Sequence, residues 1–306
     1  MGPEWTTMVP LLALVACHCE QSSPAPPGAA AVQITDDRGN RVALPRPAAR
    51  IASLSPSNTE ILFALGCGER VVLRDRVSSH PPRARRLPAT NPFQVSPDHV
   101  AGFTPDLVLL SHGDASRIEA LRRLGLAVAI FDPRTLDEVY GDIRAIGTLC
   151  GAARQADGLT RQLRQRVQAV VQRVRGRPRP SVFVETDGTD PLKPWTAGGG
   201  SFVDQMLALA GGRNVAAHLE RPFVQVNAEE ILAARPDMIL VMGVERQGGP
   251  RGIERLRSRM GWSSLEAVRQ GRVIDTIHAD LLSRPGPRLV DGLEALARAL
   301  HPEAFR

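Results

Sequence analysis

The chain has 306 residues, of which 43% are hydrophobic, 23% charged and only 4% aromatic, and it carries a formal net charge of +6. That length accommodates about two domains of roughly 100 to 200 residues, each able to bury a core, and excludes a disordered chain. Four cysteines with no C-x-x-C pair exclude a disulfide-stapled mini-domain and a zinc module, and no apolar run reaches the ~18 residues that a membrane-spanning helix needs.

In chain order, the first segment is a short apolar run, Val9 to Ala16, followed by Cys17 and a Pro-rich tract from Glu20 to Pro27. Leu14-Val15-Ala16-Cys17 resembles a lipobox, where a signal peptidase cuts before a cysteine that is then acylated. Residues 1–17 are therefore expected to be a signal peptide with Cys17 as lipidation site, and 18–47 a flexible tether and lead-in strand. One feature departs from a signal: the first ten residues hold Glu4 and no Lys or Arg.

An internal repeat organises the rest. Gln94-Val95-Ser96-Pro97-Asp98 aligns with Gln225-Val226-Asn227-Ala228-Glu229, and at the same offset Pro105-Asp106-Leu107-Val108-Leu109 aligns with Pro236-Asp237-Met238-Ile239-Leu240. Each copy reads as an N-cap, Ser96 or Asn227, a short helix, a Pro-Asp break and an aliphatic strand. A second pair sets Ser57-x-x-Glu60 and Leu62 to Gly68 against Ser201-x-x-Asp204 and Met206 to Gly212, both read as capped helices ending in glycine. Between the copies, Leu159, Leu163, Val167, Val170, Val171 and Val174 recur at helical spacing. The expected fold is α/β: two Rossmann-like lobes with mainly parallel sheets (48–152 and 177–306), joined by a single long backbone helix over 153–176, with a cleft between them. Such a helix is roughly 35 Å long at ~1.5 Å per residue, and Arg177-Pro178-Arg179-Pro180 stops it.

Several chemistries are excluded by what these segments lack. The 38 Lys plus Arg include one lysine, Lys193, and the arginines are spread along the chain without an aromatic stacking platform, so nucleic acid is not an expected partner. The glycine run Gly198 to Gly200 lacks Gly-Lys-Ser/Thr, the first strand-to-helix turn reads Ser55-Pro56-Ser57 rather than G-x-G-x-x-G, and no G-x-S-x-G is present. No i, i+4 histidine pair or H-E-x-x-H supports direct metal chelation, so any metal arrives inside its ligand, and no cofactor is expected. Cys67 and Cys150 lie in apolar, Gly-flanked contexts and read as buried thiols, with a disulfide between them open in an oxidising envelope.

The segment Arg50-Ile51-Ala52-Ser53-Leu54-Ser55-Pro56-Ser57-Asn58-Thr59-Glu60-Ile61-Leu62-Phe63-Ala64-Leu65-Gly66 resembles the opening of the cobalamin and ferric-siderophore substrate-binding proteins of ABC importers. Thr104 to Val108, Thr196 to Phe202, Ala210 to Val215, Glu229 to Leu232 and Arg284 to Gly292 follow in the family's order, so the resemblance covers about residues 48 to 302. It implies a helical-backbone periplasmic binding protein, not an enzyme, that hands its ligand to a permease dimer; with the lipobox-like segment, the chain is expected to be exported, lipid-anchored and monomeric. Asp98 and Glu229 match the carboxylates that meet permease arginines in the family, although either also complements its own helix dipole by about 0.3 to 1 kcal/mol. Trp195 and Phe223 match aromatic ligand contacts of cobalamin-binding members, Asp280 matches a polar one, and Phe93 is the expected facing wall. Val77 stands where those members carry a tyrosine. The expected ligand is cobalamin, with a ferric siderophore or haem as the alternative and an α/β enzyme or metal-centre assembly protein on a similar scaffold as a remoter one.

Overall fold

The computed structural model describes residues 2, 32–91, 95–111, 113, 115–242 and 252–306. Cys17 and Phe93, two of the expected functional positions, lie outside the described residues. The body from Ala31 to Arg306 is one unit. It opens with an antiparallel hairpin of β1 (Val32–Thr35) and β2 (Arg41–Leu44).

The first lobe follows as β3 (Ile51–Ser53), α1 (Pro56–Ala64), β4 (Val71–Asp75), β5 (Ala89–Thr90), α2 (Pro97–Ala101), β6 (Leu107–Leu110), α3 (Ala115–Arg123), β7 (Ala127–Ile130) and α4 (Leu136–Leu149). Its parallel sheet has the order β5-β4-β3-β6-β7. After α5 (Ala153–Val174), the second lobe runs β8 (Ser181–Glu185), β9 (Trp195–Ala197), α6 (Phe202–Leu209), β10 (Arg213–Asn214), β11 (Phe223–Gln225), α7 (Ala228–Ala234), β12 (Met238–Val241), α8 (Gly252–Ser258), α9 (Glu266–Arg269), β13 (Val273–Ile274), α10 (Asp280–Ser283) and α11 (Leu289–Leu300). Its parallel sheet is ordered β10-β8-β12-β13, the same succession as β4-β3-β6-β7. The repeat seen in the sequence is thus a repeat of topology, and the two-lobed α/β architecture with a long connecting helix is the observed fold.

The repeated Pro-Asp has a physical reason. Asp106 accepts hydrogen bonds from the backbone N–H groups of Ala49 and Arg50 at 2.8 and 3.0 Å, and Asp237 accepts from Ser181 N at 2.7 Å and Ser181 Oγ at 2.6 Å. Each carboxylate secures the start of its lobe's central strand. These bonds hold the Asp237 carboxyl below its ordinary value. The residue before each proline, Thr104 or Arg235, sits at positive φ, 47° and 44°, a conformation rare outside glycine.

Parallel strands covered on both faces must be apolar throughout, and β6 and β8 are buried at every position. One side of the first sheet packs on α2 and α3 through Val100, Leu110, Ile118 and Leu121. One side of the second packs under α7 to α9 around Ile231, Leu256 and Trp262. The other sides join in a single core that passes from Leu62 and Ile146 through Leu163 and Val170 of α5 to Met206 and Leu293. Helices α4 and α5 pack so closely that a Cβ on Gly147 would lie 2.5 Å from that of Ala156. Arg166 of α5 then clamps α11, with Nε 2.9 Å from Glu294 and Nη2 2.6 Å from Asp291.

Local readings fare unevenly. Ser96, Asn227 and Ser201 are N-caps as expected, and Gly66 and Gly211 follow their helices at positive φ. Ser57 is not a cap: α1 starts two residues earlier than a Ser57 cap would place it, with Ser55 as N-cap and Pro56 at its first position. Glu60 is therefore free to point elsewhere. Helix α5 ends at Val174 rather than 176, because Arg175 leaves helical geometry and Gly176 turns the chain at φ +75°.

Candidate functional site

Trp195 and Phe223 are built onto one small platform. Strands β9 and β11 pair antiparallel, Phe223 opposite Ala197 and Gln225 opposite Trp195, so the two aromatic residues share one face of the ribbon. They are 42% and 53% exposed, unusual for large apolar side chains. The loop before β9 is tied at its neck, where Thr186 N donates to Trp195 O at 2.9 Å and Trp195 N to Asp187 O at 2.8 Å. It also places Leu192 in solvent beside the aromatics in sequence.

A buried ion pair supports this loop from beneath. Glu185, at the end of β8, is fully buried and receives both terminal nitrogens of Arg259, whose Nη2 also donates to Gly188 O at 3.2 Å. Arg259 lies over the Trp262 ring, 4.8 Å from its centroid. Sequence reasoning missed this pair; the available signal was an acid directly after the apolar run Val182-Phe183-Val184.

Asp280 is placed at the junction of the lobes in a network of charges. Its Oδ1 is 2.8 Å from Arg284 Nε, one turn along the chain. Arg284 Nη2 donates to Val77 O of the first lobe at 3.2 Å, and Arg288 closes on Glu60 with Nε to Oε2 at 2.8 Å and Nη2 to Oε1 at 2.6 Å. The network thus joins α1 and the turn after β4 in one lobe to the Arg284-Pro285-Gly286-Pro287-Arg288 segment of the other. Gly286 lies against the first lobe at ordinary contact distance, a Cβ there falling 3.6 Å from Ser57 O. Its charge-assisted bonds raise the Arg288 pKa further. Arg284 Nη1 is buried and has no hydrogen-bond partner. A 320 Å³ cavity adjoins the pair, lined by Glu60, Phe63, His80 and Arg288 among others. Burial and the neighbouring Arg288 push the His80 pKa down, disfavouring the charged ring.

The structure therefore brings Trp195 together with Phe223, and Asp280 together with Arg284 and Val77. Asp98 and Glu229 are each exposed in the first turn of a short helix, α2 and α7, as the repeat implies. Among the described residues no cluster of three or more His, Cys, Asp or Glu can hold a metal ion, and no helix is long and apolar enough to cross a membrane. A larger cavity of 440 Å³, lined by Phe183, Val215, Leu219 and Ile231, sits within the second lobe under α7 rather than at the junction.

Comparison with known proteins places these features. A family model described as periplasmic binding protein matches residues 51–278. A substrate-binding lipoprotein of an ABC transporter from Bacillus subtilis, itself uncharacterized, is 31% identical and covers 90% of this chain and 87% of its own. A vitamin B12-binding protein of Photorhabdus laumondii is 29% identical over 82% of this chain and 88% of its own. Among solved structures, the periplasmic heme-binding protein RhuT from Roseiflexus in apo form is 32% identical with a TM-score of 0.74, covering 84% of this chain and 99% of its own.

Proposed function

The chain belongs to the periplasmic binding protein family, and from that premise we propose that it captures a cobalt corrinoid between its lobes and delivers it to an ABC permease. As a member it is a solute-binding protein rather than an enzyme. The observation that carries the ligand reading is the exposed, same-face pair of Trp195 and Phe223. A broad macrocycle needs flat apolar contact and a few polar anchors in a preformed site. In this reading Trp195 and Phe223 supply one wall, Phe93 the facing wall and Asp280 an anchor for the ligand's amide groups. The vitamin B12-binding relative supports it.

A second reading, haem or a ferric siderophore, is favoured by a different atom. Arg284 Nη1 at the lobe junction makes no hydrogen bond, its ion-pair contact with Glu60 being a long 3.6 Å, and such a guanidinium suits a ligand carboxylate; the heme-binding neighbour is of comparable identity. Asp98 and Glu229 are the proposed docking carboxylates, one per lobe, suited to a two-fold permease that offers arginines. Cys17 is the proposed lipid attachment point, supported by the lipoprotein name of the Bacillus relative.

Equilibrium dialysis against cyanocobalamin tests the pocket. Trp195→Ala and Phe223→Ala each remove a buried aromatic contact worth about 1.5 to 3 kcal/mol, so affinity falls about 10-fold to 100-fold. Unchanged affinity in both variants contradicts the assignment.

A further inference from the structure

We propose that Cys67 and Cys150 close into a disulfide when the chain folds in an oxidising compartment, a modification that makes the first lobe covalently cyclic. The inference rests on the export reading for its setting but on geometry for its chemistry. The two residues are far apart in sequence and are the cysteines of the described part of the chain. The fold nevertheless brings them to one patch of the core, Cys67 just after α1 and Cys150 at the end of α4, both as free thiols and both tied to Arg70, whose backbone N–H donates to Cys67 O at 3.1 Å. Both are buried, at 3% and 1% exposure, in the same apolar core. Arg70 fastens the site, its Nη1 donating to Cys150 O at 2.7 Å and to Ala48 O at 3.0 Å.

The chemistry is asymmetric. The neighbouring Cys150 thiol, aided by Arg70, lowers the Cys67 pKa to about 7, while the same neighbour and burial raise that of Cys150. Cys67 is accordingly the attacking thiolate. It displaces one sulfur of a carrier disulfide, such as that of an envelope dithiol oxidase or oxidised glutathione, forming a mixed disulfide and expelling a carrier thiolate. Cys150 then gives up its proton and attacks Cys67 Sγ, expelling the second carrier thiolate. Two protein thiols are oxidised, one carrier disulfide is reduced to two thiols, and the two protons pass to the carrier. The exchange takes place late in folding, when Arg70 already stands beside Cys67 while local opening still admits the carrier, and subsequent burial shields the bond from reductants.

The bond would span most of the first lobe, so it constrains a long loop of the unfolded chain. The full-length protein isolated from the cell envelope, and a second sample refolded from urea with oxidised glutathione, are alkylated in denaturant and mapped without reduction. The expected result is a Cys67 peptide linked to a Cys150 peptide, and a thermal midpoint that drops by about 5 °C or more on reduction. Cys67→Ala and Cys150→Ala, singly, lose that sensitivity to reductant. Two alkylated thiols in a glutathione-refolded sample with native circular dichroism overturn the proposal. A linked pair in the refolded sample with free thiols in the cellular one supports the pairing and counts instead against export.

Discussion

The ion pair across the lobe junction gives the sharpest energetic test. Glu60 is almost wholly buried, and its carboxylate receives two bonds from Arg288 at 2.8 and 2.6 Å. Arg288→Met keeps the aliphatic stem and deletes both. Removing one partner of a fully buried pair costs about 3 to 5 kcal/mol, because the remaining charge is stranded. Two features reduce that figure: the Arg288 side chain is 22% exposed, and Arg284 Nη1 remains 3.6 Å from Glu60. The expected loss is about 2 to 3 kcal/mol, or roughly 5 °C in midpoint for a chain of this size. Urea unfolding followed by circular dichroism measures it, and because the core runs unbroken through both lobes a single transition is expected. Glu60→Gln with Arg288→Met completes a double-mutant cycle whose coupling should be about 1 to 2 kcal/mol. A loss under about 0.5 kcal/mol, the scale of an ordinary surface change, refutes the reasoning.

Other consequences follow from the same coordinates. Burial and the adjacent Asp37 raise the Asp142 pKa to about 9, so at pH 7 it is protonated and donates to Asp37. A carboxyl raised in the folded state stabilises fully below its unfolded value near 3.8 and loses that contribution as pH rises toward 9. Asp142→Asn should therefore flatten the fall in thermal midpoint between about pH 5 and 9, and an unchanged slope would show that the pair is not the cause. Asp237→Ala should cost about 1 kcal/mol by releasing the start of β8; no change in urea midpoint would remove the strand-start role of the repeated Pro-Asp. Asp98→Ala with Glu229→Ala should leave ligand affinity intact while reducing cellular uptake about tenfold, and equal uptake would remove the docking assignment. Ligand closure should be small, since α5 is packed into the core of both lobes; a large change in radius of gyration by solution scattering would contradict that.

The sequence disclosed the fold through features that are local. Buried parallel strands read as short aliphatic runs, caps and terminal glycines punctuate helices, and a duplicated Pro-Asp reports a duplicated strand start. Charges that meet across the fold leave no such trace. Glu60 sits where a capping box would place it, and nothing near it announces Arg288, far along the chain in the other lobe. Asp142 reads as a polar position on α4, yet it is buried against Asp37 of the leading hairpin. The ribbon that gives Trp195 and Phe223 a common face was equally hidden, because strands of three residues carry too little alternation to be read. Resemblance supplied those two residues; only the structure showed that they share a surface.

Titration calorimetry on the full-length chain, with cyanocobalamin, haem and a panel of ferric siderophores under one set of conditions, tests the central claim most directly. The account predicts tight binding, below about 1 μM, for cobalamin alone. Binding confined to haem or an iron chelate would contradict the corrinoid reading and with it the roles given to Trp195 and Phe223.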